Sequence, residues 1–288
     1  MAATPVSGTA MKKEQQTLHL HLVSDATGET THQLARAALA RFSNVRVIEH
    51  VWTLVRTEDH LTSVHKAIET HGGVVFFSIA ERELRSKLEG LCRMHNIPAL
   101  SVLDHVLHTL SKVLGQPDEE IRGGQHRMDE AYFDRIEALD FTIQHDDGQG
   151  LSTVGNADIL IVGVSRSSKT PTSIYLAHRG YKVANYPLIP GVPMPLDEMP
   201  MGGLFTVGLI KDARRLVQIR RNRLLAMNER ENSSYADMKT ISDEINNARK
   251  LFTSQNWPVI DVSRRSVEET AAEIINLYNT WLENEGAS

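Results

Sequence analysis

The sequence predicts an α/β protein with two tandem doubly wound parallel-sheet domains. At 288 residues, the chain is long for one domain and comfortable for two. Apolar strand-like segments alternate with helical segments of roughly 10–15 residues, which is typical of βαβ units and a parallel sheet. The alternation stops after Gly115 and resumes at Ala157. We therefore expect a first domain over residues 17–115, a polar connection over 116–156 and a second domain over 157–288.

The first domain is predicted to contain four strands that alternate with four helices. Glycines mark the ends of two predicted helices. Gly72 or Gly73 ends the second helix, and Gly115 ends the fourth. His19 and His21 alternate with leucines in the first strand, and we interpret them as a solvent-facing edge without an assigned role. The predicted strands are TLHLHLVS, VRVIEHVWTLV, VVFFSI and IPALSVLD, and the predicted helices are THQLARAALARF, LTSVHKAIETHG, Glu81–His95 and VLHTLSKVLG.

The second domain repeats the same kind of alternation after a connection that holds one predicted helix, Ala131–Leu139. We expect its strands at Ile159–Val164, Lys182–Leu188, Phe205–Ile210 and Pro258–Val262, and its helices at Thr170–Arg179, Ala213–Met227, Tyr235–Phe252 and Val267–Trp281.

Composition narrows the class of protein. A net charge of −5 and a pI of about 6.2 argue against general binding to nucleic acid or anionic membranes. The single cysteine, Cys92, excludes an intramolecular disulfide and fits a reducing compartment. No apolar run reaches the ~18 residues of a membrane span. Residues 1–16 lack the apolar core of a secretory signal and are interpreted as a disordered leader. We expect a soluble cytoplasmic protein, with a homodimer as the default oligomer.

The strongest motif lies at the start of the second domain. Gly163, Lys169 and Thr170 have the spacing of a P-loop, G-x-x-x-x-G-K-[ST], with Ser168 in place of the second glycine. An apolar strand precedes the loop, a helix with Pro171 in its first turn follows it, and a further strand comes next. Loop N–H groups and the positive end of the helix would surround a phosphate. We therefore predict a P-loop kinase-like domain.

The alternative is an ordinary βα turn rich in Ser and Gly, because a non-glycine residue in the left-handed conformation costs roughly 1–2 kcal/mol. In the nucleotide-site interpretation, Lys169 reaches the terminal phosphate oxygens and Thr170 is the magnesium ligand. Arg166 adds positive charge or is simply solvated. The predicted nucleotide-binding residues are Gly163, Val164, Ser165, Arg166, Ser167, Ser168, Lys169 and Thr170.

Other segments carry weaker candidates. An arginine-rich helix could form a lid over anionic groups or be a solvated basic face; its arginines are Arg214, Arg215, Arg220, Arg221 and Arg223. Asp212 and Asp261 follow apolar strands and could be carboxylates for a metal or a proton, or helix N-caps, the interpretation we favour for Asp261. Arg264 and Arg265 follow the last strand, where one could contact a nucleotide.

Two further loops have residues suited to chemistry. SDATGET places Asp25, Thr27 and Gly28 at a helix start, as an anion or partner loop or as simple capping. The connection holds residues suited to acid–base or metal chemistry, although unpartnered linker residues are the commoner case. These residues are His126, Asp129, His145, Asp146 and Asp147.

Taken together, five segments resemble the pyruvate, phosphate dikinase regulatory proteins, with the phosphoenolpyruvate synthase regulatory proteins as close relatives. The resemblance extends over about residues 20–280, and GVSRxxKTPxSIYLA followed by YKVANxP is not a general P-loop pattern. Bacterial members tolerate Ser or Gly at position 168. The segments are VSDATGET, MDEAYFDRIEALDFTIQHDDG, GVSRSSKTPTSIYLAHRGYKVANYPLIPG, FTVGLIKDARRLVQIRRNRL and DVSRRSVEETAAEI.

The resemblance implies a bifunctional regulator of the dikinase. Such enzymes phosphorylate a threonine beside the partner's catalytic histidine with ADP as donor, which inactivates the partner. They remove the phosphate by attack of inorganic phosphate, which releases pyrophosphate. Transferred to this sequence, Lys169 holds the phosphoryl group, Thr170 binds Mg²⁺ and Arg166 adds charge. A carboxylate must orient the threonine, and Asp129, Asp146, Asp147 and Asp25 are the candidates.

Three alternatives stay open at this point. The same chemistry could act on phosphoenolpyruvate synthase. The protein could be a nucleotide-binding sensor that docks to a partner without catalysis. A small-molecule kinase is the fourth interpretation, supported mainly by the arginine-rich helix.

Overall fold

The computed structural model describes residues 15–119, 121, 130–200, 202–227 and 234–285. The chain divides into two compact units, Met1–Arg127 and Met128–Ser288. The second unit therefore begins inside the segment predicted to be a connection. Of the predicted leader, only Gln15 and Gln16 lie within the described residues, and Gln16 begins the first strand.

The first unit is a four-stranded parallel sheet covered by helices. Its strand order is β2-β1-β3-β4, and strand and helix alternate as the sequence predicts. The strands are β1 (Gln16–Ser24), β2 (Val45–Trp52), β3 (Val74–Ser78) and β4 (Ala99–Ser101), and the helices are α1 (Glu29–Leu39), α2 (Glu58–His71), α3 (Arg82–Met94) and α4 (Asp104–Leu114).

Strand β1 pairs with β2 on one edge and β3 on the other, and helices cover both of its faces. Leu20 and Leu22 pack with Ala35 of α1 on one face. On the other face His21 is fully buried, and its Nε2–H donates to the Gly72 carbonyl at 3.0 Å. The prediction of a solvent-facing histidine edge was therefore wrong for His21, because the alternating pattern of a strand does not reveal that helices cover both faces of its sheet.

The second unit is built in the same way, with the strand order β6-β5-β7-β8, all parallel. Its strands are β5 (Ile159–Val164), β6 (Val183–Leu188), β7 (Phe205–Ile210) and β8 (Val259–Asp261), and its helices are α5 (Glu130–Gln144), α6 (Lys169–Ala177), α7 (Ala213–Ala226), α8 (Met238–Ser254) and α9 (Val267–Glu285). The fold class predicted from the sequence is confirmed.

Strand β5 holds the centre of the second core. Leu160 and Val162 pack against residues of α7 and α8, and Ile159 and Ile161 pack against residues of α6 and α9. All six residues of β5 are buried. A strand buried on both faces is a rigid support, so the loop that follows it has a fixed starting point.

Helix ends in this unit follow from local side-chain chemistry. Asp212 caps α7 by accepting from the Arg215 N–H at 3.1 Å, and Asp237 caps α8 by accepting from the Thr240 N–H at 2.9 Å.

Across the described parts of the chain, no helix combines the length and apolar character needed to cross a membrane.

Candidate active site

The candidate site lies at the carboxyl ends of β5 and β7. Because the connections from β5 and β7 run to opposite sides of the sheet, a crevice forms between these two strands, which is where open α/β sheets bind ligands. A cavity of about 760 Å³ is located here. Its lining includes the predicted P-loop residues Ser165, Arg166, Ser168, Lys169 and Thr170.

The backbone of the loop after β5 is consistent with the predicted P-loop at Gly163 and Ser168. Gly163 is required by close packing, since a Cβ there would lie 2.7 Å from the Leu209 carbonyl oxygen. Arg166 and Ser168 have φ angles of 70° and 69°, the left-handed region that favours glycine. Ser168 therefore occupies the conformation that the motif's second glycine would adopt. The Ser167 side chain is buried, and its hydroxyl donates to the Val164 carbonyl at 2.9 Å.

Lys169 is the first residue of α6, at the positive end of that helix. Its side chain is buried, and Nζ lies 3.5 Å from the Val164 carbonyl oxygen. Burial lowers the pKa of Lys169 from 10.5 to about 8, although the carboxylates of Asp147 and Asp146 act in the opposite direction. A buried ammonium at a helix N-terminus is well placed to hold a phosphate.

Thr170 is tied to a carboxylate from a distant part of the sequence. Its hydroxyl donates to Asp146 Oδ1 at 2.8 Å, and Asn185 Nδ2 donates to the same oxygen at 2.5 Å. The Asp147 N–H donates to Asn185 Oδ1 at 3.2 Å, and the Asp147 side chain lines the cavity. The turn after α5 therefore lies beside the P-loop, and two of its predicted carboxylates belong to the site.

His145 holds this turn in place. Its imidazole stacks on Phe141 with 3.8 Å between ring centroids, and its ring nitrogens lie 2.7 Å from the Phe141 carbonyl and 2.8 Å from Thr153 Oγ1. Both nitrogens are engaged and the ring is buried. His145 is therefore structural, and the acid–base role considered for it does not fit its contacts.

The arginine-rich helix α7, for which the sequence left a lid or a solvated basic face open, has one buried arginine and four exposed ones. Arg220 is buried, and its guanidinium makes two hydrogen bonds to the Glu244 carboxylate, at 3.0 and 2.7 Å. It also donates to the carbonyls of Ser165 and Tyr235. The other four arginines, Arg214, Arg215, Arg221 and Arg223, are exposed.

Tyr235 connects a second segment to the P-loop. Its hydroxyl lies 3.0 Å from Ser165 Oγ, and its ring lies under the Arg220 guanidinium at 4.6 Å. Arg220 thus joins the loop after β5, the turn before α8 and Glu244 of α8. This network is a support for the loop conformation.

Sequence reasoning missed four residues of the site. Lys211 follows β7 and places Nζ 3.1 Å from Ser168 Oγ. Asn185, Tyr235 and Glu244 are the others. Asn185 lies in the family pattern YKVANxP, and Lys211 directly follows the buried strand FTVGLI, where residues after parallel strands collect at the ligand-binding edge.

The remaining candidates lie elsewhere or have structural partners. Asp261 accepts from the Ser263 N–H at 2.9 Å, a local turn contact, so it is not the N-cap favoured from the sequence. Arg264 is exposed, and Arg265 pairs with Glu273 at 3.4 Å. Asp25 lies in the first unit, where it is buried and accepts from the Ala80 N–H at 2.7 Å. Asp129 and His126 lie outside the described residues.

Comparison with known proteins gives a consistent set of relatives. A family model described as kinase/pyrophosphorylase matches residues 20–275. A pyruvate, phosphate dikinase regulatory protein of Erythrobacter litoralis is 50% identical over 262 residues, covering 91% of this chain and 94% of the relative. A protein of the same name from Paramagnetospirillum magneticum is 48% identical over 268 residues, covering 93% and 86%.

Among solved structures, a LacI transcriptional regulator from Lactobacillus brevis matches at 11% identity and a TM-score of 0.22, over 85% of this chain and 98% of the other. A likeness this low says nothing about the fold.

Proposed function

The chain belongs to the kinase/pyrophosphorylase family, and on this premise we propose that it regulates pyruvate, phosphate dikinase by reversible phosphorylation of a threonine. ADP is the donor in the inactivating direction, and inorganic phosphate is the acceptor in the activating direction. The dikinase is the protein partner, since relatives about 50% identical carry its regulator's name. A cytoplasmic location is part of this proposal.

One observation carries the proposal. The buried Lys169 ammonium and the Thr170–Asp146 pair lie side by side at the N-terminus of α6, in a cavity of about 760 Å³. Phosphoryl transfer requires mainly positioning and charge neutralisation, and these groups supply both. The volume lies within the roughly 300–1,000 Å³ of typical small-molecule sites.

In the kinase direction the threonine oxygen forms a bond to the β-phosphorus of ADP, and the bond from that phosphorus to the bridging oxygen breaks. AMP leaves, and the hydroxyl proton passes to a carboxylate. Lys169 neutralises the phosphoryl oxygens throughout. Among the described carboxylates, Asp147 lines the cavity and extends from the turn beside Thr170. We assign it the role of orienting the threonine hydroxyl.

In the phosphorylase direction an oxygen of inorganic phosphate attacks the phosphorus of phosphothreonine. The bond between that phosphorus and the threonine oxygen breaks, pyrophosphate leaves, and the threonine oxygen takes up a proton. The same carboxylate can accept the threonine proton in the kinase reaction and return a proton to the threonine oxygen in the phosphorylase reaction. Arg166, which lines the cavity, adds positive charge in both directions.

The donor set beside the loop fits Mg²⁺. Thr170 Oγ1 and Asp146 Oδ1 are hard oxygen ligands 2.8 Å apart. Magnesium sites typically use one or two protein oxygens and take the others from phosphates and water. Within the described ranges no group of three or more His, Cys, Asp or Glu residues is arranged to hold a metal, which fits a site where the nucleotide supplies ligands. When bound, the ion neutralises charge on the phosphate oxygens.

The test is a transfer assay with purified dikinase, purified phosphoenolpyruvate synthase, and ADP radiolabelled at the β-phosphate, with ATP as comparison. We expect label from ADP on a dikinase threonine, and its release as pyrophosphate on addition of inorganic phosphate. Label on the synthase alone would redirect the same chemistry to that partner. Nucleotide binding without transfer to either would indicate a non-catalytic sensor and contradict the proposal.

The site assignment has its own control. Lys169→Ala should abolish transfer, because it removes the phosphate-binding cation, while Lys250→Ala on the exposed face of α8 should leave transfer unchanged. Full activity in Lys169→Ala would place the chemistry elsewhere.

A further inference from the structure

A second lysine enters the cavity from the other side of the crevice. Lys211 directly follows β7, whereas Lys169 belongs to the loop after β5. The two strands are neighbours in the sheet, and the crevice opens between them. Lys211 Nζ lies 3.1 Å from the hydroxyl of Ser168, the residue that precedes Lys169. Two ammonium groups therefore converge on one cavity from independent elements.

In the described part of the chain, Lys211 lacks the carboxylate partners that two other lysines have, and it is less exposed than the unpaired surface lysine Lys250. Lys87 pairs with Glu58 and Glu83, and Lys182 pairs with Glu137. Lys211 is half-buried, and among the described residues no carboxylate lies within ion-pair distance of it. The adjacent Asp212 accepts from the Arg215 N–H as the cap of α7.

Burial and the neighbouring Arg215 both lower the pKa of Lys211. Removing an ammonium from water without an anionic partner costs free energy. A protein retains such a group where a ligand provides the missing negative charge, and phosphate is the anion expected at a helix N-terminus next to a P-loop.

The two proposed reactions share one arrangement of groups. In each, the transferred phosphorus lies between the threonine oxygen and an oxygen of a second phosphate. That second phosphate is the α-phosphate of ADP in one direction and inorganic phosphate in the other. A site with two phosphate positions therefore serves both reactions without rearrangement.

We propose that Lys211 forms a second phosphate subsite, which holds the phosphate that is not transferred, while Lys169 and the loop amides hold the phosphoryl group in transit. The inference rests on the proposed function for the identity of the two phosphates. It goes further in assigning both reactions to a single cavity and naming the residue that binds inorganic phosphate.

The test measures binding and turnover separately, on the full chain. Titration calorimetry with pyrophosphate, ADP and inorganic phosphate compares the wild type with Lys211→Met, Lys211→Arg and the surface control Lys250→Met. We expect Lys211→Met to lower the affinities for pyrophosphate and ADP at least about tenfold, which is the effect of losing one charge-assisted contact. Without phosphothreonine or a nucleotide present, inorganic phosphate is expected to occupy the P-loop position, so its affinity should change less than about twofold in Lys211→Met. Lys211→Arg, which keeps the charge, should stay near the wild type.

Turnover supplies the second measurement. With phosphorylated dikinase, Lys211→Met should raise the KM for inorganic phosphate at least about tenfold, because the non-transferred phosphate loses its cation. Equal pyrophosphate affinity and equal KM in Lys211→Met and Lys250→Met would overturn the subsite. If pyrophosphate affinity depends on Lys211 but the wild type transfers nothing to the dikinase, the subsite is supported and the proposed function is contradicted. Absence of pyrophosphate binding in the wild type would overturn both.

Discussion

The hydroxyl of Thr170 donates a 2.8 Å hydrogen bond to Oδ1 of Asp146, a residue 24 positions earlier in the chain. This contact joins the turn after α5 to the P-loop. It combines the hydroxyl expected of a P-loop with a carboxylate that the P-loop motif does not contain. The pair, supported by Asn185, provides the oxygen ligands that the proposed chemistry requires.

The first prediction concerns this pair. Asp146→Asn keeps the shape and an acceptor for Thr170 but removes the negative charge. The Mg²⁺ concentration for half-maximal transfer should therefore rise roughly 10- to 100-fold, while the thermal unfolding midpoint changes little. Asp140→Asn, an exposed position on α5, is the control and should leave the magnesium dependence unaltered. An unchanged magnesium dependence in Asp146→Asn would exclude the carboxylate from the metal site.

The second prediction concerns the pH dependence of ADP binding. The pKa of Lys169 is lowered by burial to about 8, so its ammonium is charged at pH 7 and becomes neutral as the pH rises through 8. ADP affinity should be nearly constant below pH 7, about twofold lower at pH 8, and should then decline, approaching tenfold per pH unit. Equilibrium dialysis between pH 7 and 10 measures this. Lys169→Arg stays charged over this range and should lose most of the decline; a flat wild-type profile would contradict the buried ammonium.

The third prediction concerns the buried ion pair between Arg220 and Glu244, whose closest atoms lie 2.7 Å apart. Arg220→Met leaves the Glu244 carboxylate buried without compensation and should reduce the free energy of unfolding by about 3–5 kcal/mol. The double variant Arg220→Met with Glu244→Leu should recover most of this loss. Urea unfolding followed by tryptophan fluorescence measures both.

The matched control for this pair is Arg221→Met, at the exposed neighbouring position, which should remain within about 0.5 kcal/mol of the wild type. If Arg220→Met proved as mild as Arg221→Met, the pair would not support the loop. If the double variant restored stability but not ADP affinity, the network would have a role in positioning Ser165 beyond holding the fold.

The fourth prediction concerns acid stability of the first unit. The pKa of His21 is lowered from 6.5 to about 4, first by burial, and further by the nearby histidines His50, His71 and His19. Nε2 donates to the Gly72 carbonyl, and Nδ1 has no hydrogen-bond partner among the described residues. The folded state therefore disfavours the proton that the unfolded state accepts below pH 6.5.

The free energy of unfolding should have its full value above pH 6.5 and should fall between pH 6.5 and 4. The contribution of His21 to this fall is on the order of 3 kcal/mol. His21→Gln can still donate to the Gly72 carbonyl but does not titrate, so its unfolding midpoint should fall less steeply over this interval. The exposed His105→Gln is the control. Parallel pH profiles for the wild type and His21→Gln would contradict the prediction.

Local sequence patterns determined much of the fold. Alternating apolar and helical segments predicted the eight strands and nine helices of the described chain to within a few residues at most ends. Gly163, Lys169 and Thr170 indicated the candidate P-loop because the residues of that motif are adjacent in the chain. Such features are readable from sequence since each depends on neighbours within one turn or one strand.

Tertiary structure alone decided which distant residues join the loop. Asp146 reaches Thr170 and Asn185 because α5 packs beside α6 and β6, and Lys211 reaches Ser168 because β7 pairs with β5. Long-range packing in each unit also decides the environment of His21, which is buried, and of Arg220, which pairs with Glu244. The sequence shows the chemistry available to each residue. The contacts that the residue makes depend on strand order, which is set by burial of the whole sheet.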